Sequence, residues 1–251
     1  MCNSIKMQEN LYKVTIPITA ASMDRALELM DRAAALQPDF LELRLDYMPN
    51  PKVEKLVQHT DVPKIVTIRH KAEGGQDRID NEQRRDYLLE AIAAGAAMVD
   101  TEYRHPIDLT GQLRDTRLIL SYHDFDETPG DLSAIHGDIV AEGADIVKIA
   151  VKANSPNDAL KMMNLLSEIR ETTIGISMGP YGVITRVAGP ALSSYLTFAT
   201  IDGHEELEPG QLSISQLREE WKTLGFDQRE GPPQEKPFSM RDLDDVDEGH
   251  V

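Results

Sequence analysis

Apolar and polar positions along the chain fall into eight strand-like segments, and between most of them the apolar spacing turns helical. The segments at 13–19, 40–47, 64–70, 98–104, 117–124, 145–152, 172–179 and 195–201 predict strands. Helical spacing fills 22–36, 81–94, 132–142, 155–170 and 211–224, with weaker patterns near 51–58, 106–114 and 182–192. Strands alternating with helices imply right-handed βαβ units and a parallel sheet. Eight such units closing on themselves make a (β/α)8 TIM barrel. That fold uses about 250 residues as one unit, and the chain has 251. A doubly wound open sheet, the rival, usually stops at about six strands.

The strands carry charge on one parity. In 40–47, FLELRLDY, the residues Leu41, Leu43 and Leu45 share a face and Glu42, Arg44 and Asp46 the other. If the leucines pack under the helices, the three charges point into the barrel, where they need partners. Run 64–70 puts Thr67 and Arg69 inside against Val66 and Ile68. Run 117–124 groups Ile119, Ser121 and His123, and run 145–152 groups Ile146, Lys148 and Ala150. Lys148, with apolar neighbours in mid-strand, cannot easily snorkel to water. Desolvation and nearby arginines would leave more of it as free amine, the nucleophilic form. A lysine, a histidine and several arginines near the C-terminal ends of barrel strands suggest Schiff-base chemistry on an anionic keto compound. No HxH or HExxH spacing occurs among the seven histidines, so no metal is expected. His59, His70, His105, His136, His204 and His250 are expected in loops or on the surface. No cofactor signature is present, since no P-loop occurs and Gly74-Gly75 is too short a glycine signal.

Composition narrows the partners. The net charge is −17, which opposes phosphate backbones and anionic lipid, so neither nucleic acid nor a membrane is expected. The single cysteine, Cys2, leaves no internal disulfide, and the polar start lacks an apolar leader core. A reduced, cytoplasmic location follows as the expectation. Residues 226–251 hold eight acidic and three basic residues with Pro232, Pro233 and Pro237. Such a segment buries too little to offset its ordering entropy and reads as a disordered acidic C-terminal tail. The expected division is a catalytic barrel at 1–225 and the tail at 226–251.

Several stretches together resemble the type I 3-dehydroquinate dehydratase family. They are ELRLD (42–46), TIRHKAEGG (67–75), SYHDF (121–125), ADIVKIA (144–150), SMGPYGVITR (177–186) and EPGQ (208–211), in the family's order. The resemblance spans roughly 14–217. It implies a barrel that converts 3-dehydroquinate to 3-dehydroshikimate with loss of water, in the shikimate pathway. It further implies that Lys148 forms the imine with the C3 ketone, that His123 is the general acid–base, and that Glu73 orients its imidazole and favours the imidazolium. Glu42, Arg44 and Arg69 match binders of the ring hydroxyls, Arg186 the clamp on the substrate carboxylate, and Gln211 the lid over it. Ile176 and Met178 fall where the family packs apolar side chains against the lysine. By the same analogy the chain is expected to be a homodimer. It departs from the common bacterial lid, SAPGQ, by carrying Leu207 and Glu208, and two readings stay open: a weakened carboxylate site, or a solvent-facing Glu208 with backbone N–H groups replacing the serine. Two rivals stay open. A class I aldolase-type barrel shares the strand-six lysine, and a non-catalytic quinate- or dehydroquinate-sensing barrel shares the scaffold.

Overall fold

The computed structural model describes residues 12–76, 79–203 and 210–226. Eight strands form one parallel sheet: β1 (Lys13–Ile18), β2 (Phe40–Arg44), β3 (Lys64–Thr67), β4 (Met98–Glu102), β5 (Arg117–Asp124), β6 (Ile146–Lys152), β7 (Thr173–Met178) and β8 (Leu196–Phe198). Their order is β7-β6-β5-β4-β3-β2-β1-β8. Each strand therefore lies beside its sequence neighbour, and β8 pairs back onto β1. The Tyr195 N–H donates to the Thr173 carbonyl at 2.7 Å, tying the start of β8 to β7 and completing the ring. The chain folds as a (β/α)8 TIM barrel.

The helices are α1 (Met23–Ala35), α2 (Val53–Gln58), α3 (Asn81–Ala93), α4 (Leu132–Ala141), α5 (Pro156–Glu168), α6 (Val183–Val187) and α7 (Ile214–Thr223). Caps set several boundaries. Ser22 and Asp80 accept from backbone N–H groups at the starts of α1 and α3. Ser213 and Gln216 form a reciprocal capping box that starts α7 at Ile214, three residues later than periodicity predicts. That delay leaves Gln211 on a loop.

The predicted parity holds. Leu41, Leu43, Val66, Ile68 and Val99 face outward and pack with helix residues such as Leu29, Met30 and Leu88. Each such buried aliphatic contributes roughly 1.5–3 kcal/mol. Inside the barrel, Phe40, Ile65, Met98, Ile119, Ile146, Ile174 and Leu196 form an apolar plug. Above the plug the same inward positions turn polar as each strand approaches its C-terminal end. Ile65 gives way to Thr67, Met98 to Asp100 and Glu102, Ile119 to Ser121 and His123, and Ile146 to Lys148. A dry floor under a polar mouth is the consequence.

Three expectations are corrected. Segment 106–114 contains no helix. Its buried Ile107 and Leu109 are two residues apart, an extended spacing, and Gly111 (φ 71°) and Arg114 (φ 52°) adopt left-handed backbone that stops a helix. The second predicted strand ends at Arg44, because Leu45–Tyr47 curl into a 3₁₀ turn. His136 is buried on α4 rather than exposed, its Nε2 3.0 Å from Thr173 Oγ1. The tail at 226–251, apart from Phe226, and His204 and His250 lie outside the described residues.

Candidate active site

The polar mouth of the barrel opens into a cavity of about 160 Å³. Its lining brings together Glu42, Arg44, His123, Lys148, Arg186 and Gln211 from five separate segments of the chain. Pro17, Phe125, Ala150, Ile176, Met178 and Phe198 supply apolar walls. Arg44, Lys148 and Arg186 face only one carboxylate, Glu42, among these lining groups. Asp46 and Asp100 behind the wall offset Arg44 and Lys148, so the mouth presents positively charged donors within a chain of net charge −17 without a large excess of bare charge. Such a site attracts a small anion that the outer surface repels.

Lys148 sits in the middle of β6, 4% exposed. Its Nζ lies 2.9 Å from Asp100 Oδ2, 3.3 Å from Glu42 Oε1 and 4.6 Å from the centre of the Phe198 ring. The lysine is therefore held by carboxylates, not surrounded by bare arginines as its sequence context suggests. Asp100 in turn accepts both arms of the Arg69 guanidinium, at 3.0 and 2.8 Å, and the Ser121 hydroxyl at 2.6 Å. Burial alone would raise the Asp100 carboxyl, but Arg69 and then Lys148 outweigh it and hold it well below the usual carboxylate range. Arg69 also reaches Glu102 at 2.9 Å. Burial opposes the Arg69 charge, yet Asp100 and Glu102 keep the guanidinium firmly protonated. With its donors directed at these carboxylates and at Ser121, Arg69 lies behind the pocket wall rather than on it.

The 3₁₀ turn after β2 returns Asp46 to Arg44, and the two pair through both oxygens at 2.9 Å. This bidentate pair fixes the Arg44 fork at the mouth. Glu42 accepts from the Thr67 hydroxyl at 3.0 Å, so its carboxylate is aimed before any ligand arrives.

His123 projects from the end of β5. Glu73, on the turn after β3, lies with Oε2 2.9 Å from the His123 backbone N–H and 3.1 Å from Nδ1. With Glu73 as acceptor, Nδ1 carries the proton and Nε2 presents a lone pair to the pocket. Glu73 reaches this place because Gly74 reverses the chain at φ 85° and lies so close under Phe125 that a Cβ there would be 2.7 Å from the ring. Burial, then Arg69 and Lys148, lower the His123 imidazole well below its ordinary value. Burial and these two cations oppose the imidazolium that the family resemblance implies and draw the ring toward the neutral form, in which Nε2 is a base. Burial also pushes the Glu73 carboxyl up to about 7, against the opposing pull of Arg69.

Arg186 comes from α6, anchored by Nη1 to the Ser177 carbonyl at 2.8 Å. Gln211 is held over the opening by its neighbour. Gly210, at φ 91°, packs so closely on the backbone of Gly179 that a Cβ would lie 2.3 Å from the Gly179 carbonyl oxygen. Leu207 and Glu208 lie outside the described residues.

Asp100, Glu102, Ser121 and Phe198 complete the site and were not singled out as functional by sequence reasoning. Parity in β4 carries the signal, since Met98, Asp100 and Glu102 alternate with Val99 and Thr101. The sequence model of type I 3-dehydroquinase matches residues 14–227. A 3-dehydroquinate dehydratase of Methanococcus maripaludis is 34% identical over 215 residues, covering 82% of this chain and 97% of the relative. One from Methanocaldococcus jannaschii is 31% identical over 220 residues, covering 84% and 98%. Among solved structures, the 3-dehydroquinate dehydratase of Geobacillus kaustophilus superposes with a TM-score of 0.77 at 27% identity, covering 87% of this chain and 93% of that one.

Proposed function

The chain belongs to the type I 3-dehydroquinase family, and from that premise we propose that Lys148, His123 and Glu73 carry the reaction in this barrel. The reaction is the dehydration of 3-dehydroquinate to 3-dehydroshikimate, a hydro-lyase step of the shikimate pathway. The observation that supports these roles best is the buried amine of Lys148 in a pocket whose other polar groups match an anionic polyol ketone.

In this reading Lys148 adds as free amine to the C3 carbonyl. The carbinolamine loses water to give an iminium, whose positive nitrogen withdraws electrons from C2. Asp100 and Glu42 stand 2.9 and 3.3 Å from that nitrogen and stabilise its charge. His123 Nε2 takes the C2 proton, and the electron pair passes into the imine as an enamine. The pair then returns to expel the C1 hydroxyl, which leaves as water with the proton from His123. Hydrolysis of the iminium releases the product and restores the amine, so one molecule of water is lost overall. Glu73 fixes the tautomer that makes Nε2 the base. Arg186 and Gln211 hold the substrate carboxylate, with Glu42 and Arg44 on the ring hydroxyls. Arg69 serves these groups from behind the wall.

A homodimer and a cytoplasmic location complete the proposal and rest on the family likeness. Among the described residues no helix is long and apolar enough to cross a membrane. The catalytic unit is proposed to end near residue 225. Incubating the purified chain with 3-dehydroquinate and following the ultraviolet absorbance of the conjugated enone tests the reading. Turnover by the native chain, lost in Lys148→Ala with the fold retained, is expected. Lys148→Ala turning over normally would overturn the assignment. Binding without turnover by the native chain would point instead to a sensing barrel.

A further inference from the structure

Arg84 is the largest of the fully buried side chains and lies outside the barrel wall, on α3. A charge in such a place is stable only if fully partnered. Its Nε donates to the Ile68 carbonyl at 3.0 Å, its Nη1 to Asn81 Oδ1 at 2.9 Å, and its Nη2 pairs with Glu102 Oε2. The other oxygen of Glu102 faces inward, where it accepts from Arg69 Nη1 and from the His70 N–H, both at 2.9 Å. A chain of alternating charges therefore runs from a helix outside the barrel to the reacting nitrogen: Arg84, Glu102, Arg69, Asp100, Lys148.

Charge counting shows what Arg84 does. Glu42, Asp100 and Glu102 are three buried carboxylates, and Arg69 and Lys148 are the two cations among them. With Arg44 already paired to Asp46, Arg84 supplies the third cation of this cluster, which is then neutral when the Lys148 nitrogen is positive, as ammonium or as iminium. Without it Glu102 would compete with Asp100 for Arg69, and Asp100 would lose the fork that aims it at Lys148. Resting on the reading of Lys148 as the imine-forming residue, we infer that Arg84 is a positioning residue: through Glu102 and Arg69 it holds Asp100 against Lys148 and sets the charge balance there. The remaining groups around Lys148 are Glu42 from β2, His123 from β5 with Glu73 behind it, and Arg44 and Arg186 across the pocket. None of these contacts Arg84.

The test is the rate of borohydride-trapped adduct formation with 3-dehydroquinate as a function of pH, with kcat and KM measured alongside. Arg84→Met leaves the cluster one negative charge in excess, so the rising limb of the trapping rate moves up by roughly half a pH unit or more. Its kcat falls about tenfold while KM changes less than about threefold, the mark of a group acting only through the reacting centre. Glu102→Gln moves the limb the opposite way, and Arg84→Met/Glu102→Gln, neutral for neutral, returns it to the native position. Should Arg84→Met fail to fold, Glu102→Gln and the double variant still decide. A folded variant with an unmoved limb, or a double variant that fails to restore it, overturns the role of Arg84. A native adduct found on a residue other than Lys148 overturns instead the reading on which it rests.

Discussion

Asp100 Oδ2 lies 2.9 Å from Lys148 Nζ while both Asp100 oxygens also engage the Arg69 fork. The aspartate is thus fixed from behind and offers one oxygen forward, which places a negative charge at the atom that becomes an iminium. It also prevents Lys148 from swinging out of register.

Asp100→Asn is expected to lower kcat about 10- to 100-fold, the usual cost of losing an outer partner of a reacting group. Because it leaves Arg69 with one carboxylate fewer in a buried cluster, unfolding stability should fall by about 3 kcal/mol. Urea unfolding and steady-state kinetics check the two parts. A variant that loses stability but keeps its kcat would make Asp100 purely structural.

His123→Ala should slow turnover by about 10²–10⁴-fold, the range for a general acid–base, yet still form an adduct at Lys148 slowly, because the amine is untouched. Mass spectrometry after borohydride separates the two effects. Turnover within a few-fold of native would remove His123 from the mechanism.

Glu73 supplies a pH signature. Its carboxyl is raised from 4.5 to about 7 in the folded chain, with burial as the main cause. The folded state therefore holds this proton more tightly than the unfolded state. The associated stability is full below about pH 4.5 and is lost as pH rises through about 7. Glu73→Gln removes the titration and keeps an acceptor for the His123 N–H. The thermal midpoint of the variant relative to native should rise from pH 4.5 to 7 and then level off. A constant difference across that range would contradict the buried-carboxylate account.

Gly210→Ala tests the lid. A Cβ at φ 91° and 2.3 Å from the Gly179 oxygen must push the loop outward and carry Gln211 with it. KM should rise several-fold more than kcat falls, as for lost uniform binding. An unchanged KM would show that Gln211 does not hold the substrate in place.

Much of this was legible in the chain because barrel strands separate two faces so cleanly. Lys148 and His123 announce themselves as polar residues on the inward parity of strands whose outward parity is apolar. Asp100 and Glu102 follow the same rule, but Thr101 on the outward parity blurs the alternation in MVDTE. Arg84 was illegible for a different reason. It shares a helix face with Leu88 and Ala91, at i+4 and i+7, and a long charged residue there is expected to reach solvent unless a buried carboxylate waits on the other side. His136 was misplaced likewise, since its partner Thr173 is 37 residues away. Glu73 could be found only through the family resemblance, as it and His123 meet across 50 residues through a turn of glycines. The lid residues Leu207 and Glu208 lie outside the described residues, and kinetics of Leu207→Ser and Glu208→Ala decide between a weakened and a compensated lid.

The central claim is that Lys148 is the nucleophile, and trapping its imine tests it most directly. The native chain is incubated with 3-dehydroquinate and sodium borohydride, digested, and the modified peptide is sequenced by mass spectrometry. A reduced adduct on the β6 peptide at Lys148, absent from Lys148→Ala, is the predicted result. An adduct on Lys152 or Lys71, or full turnover with no adduct at all, would contradict it.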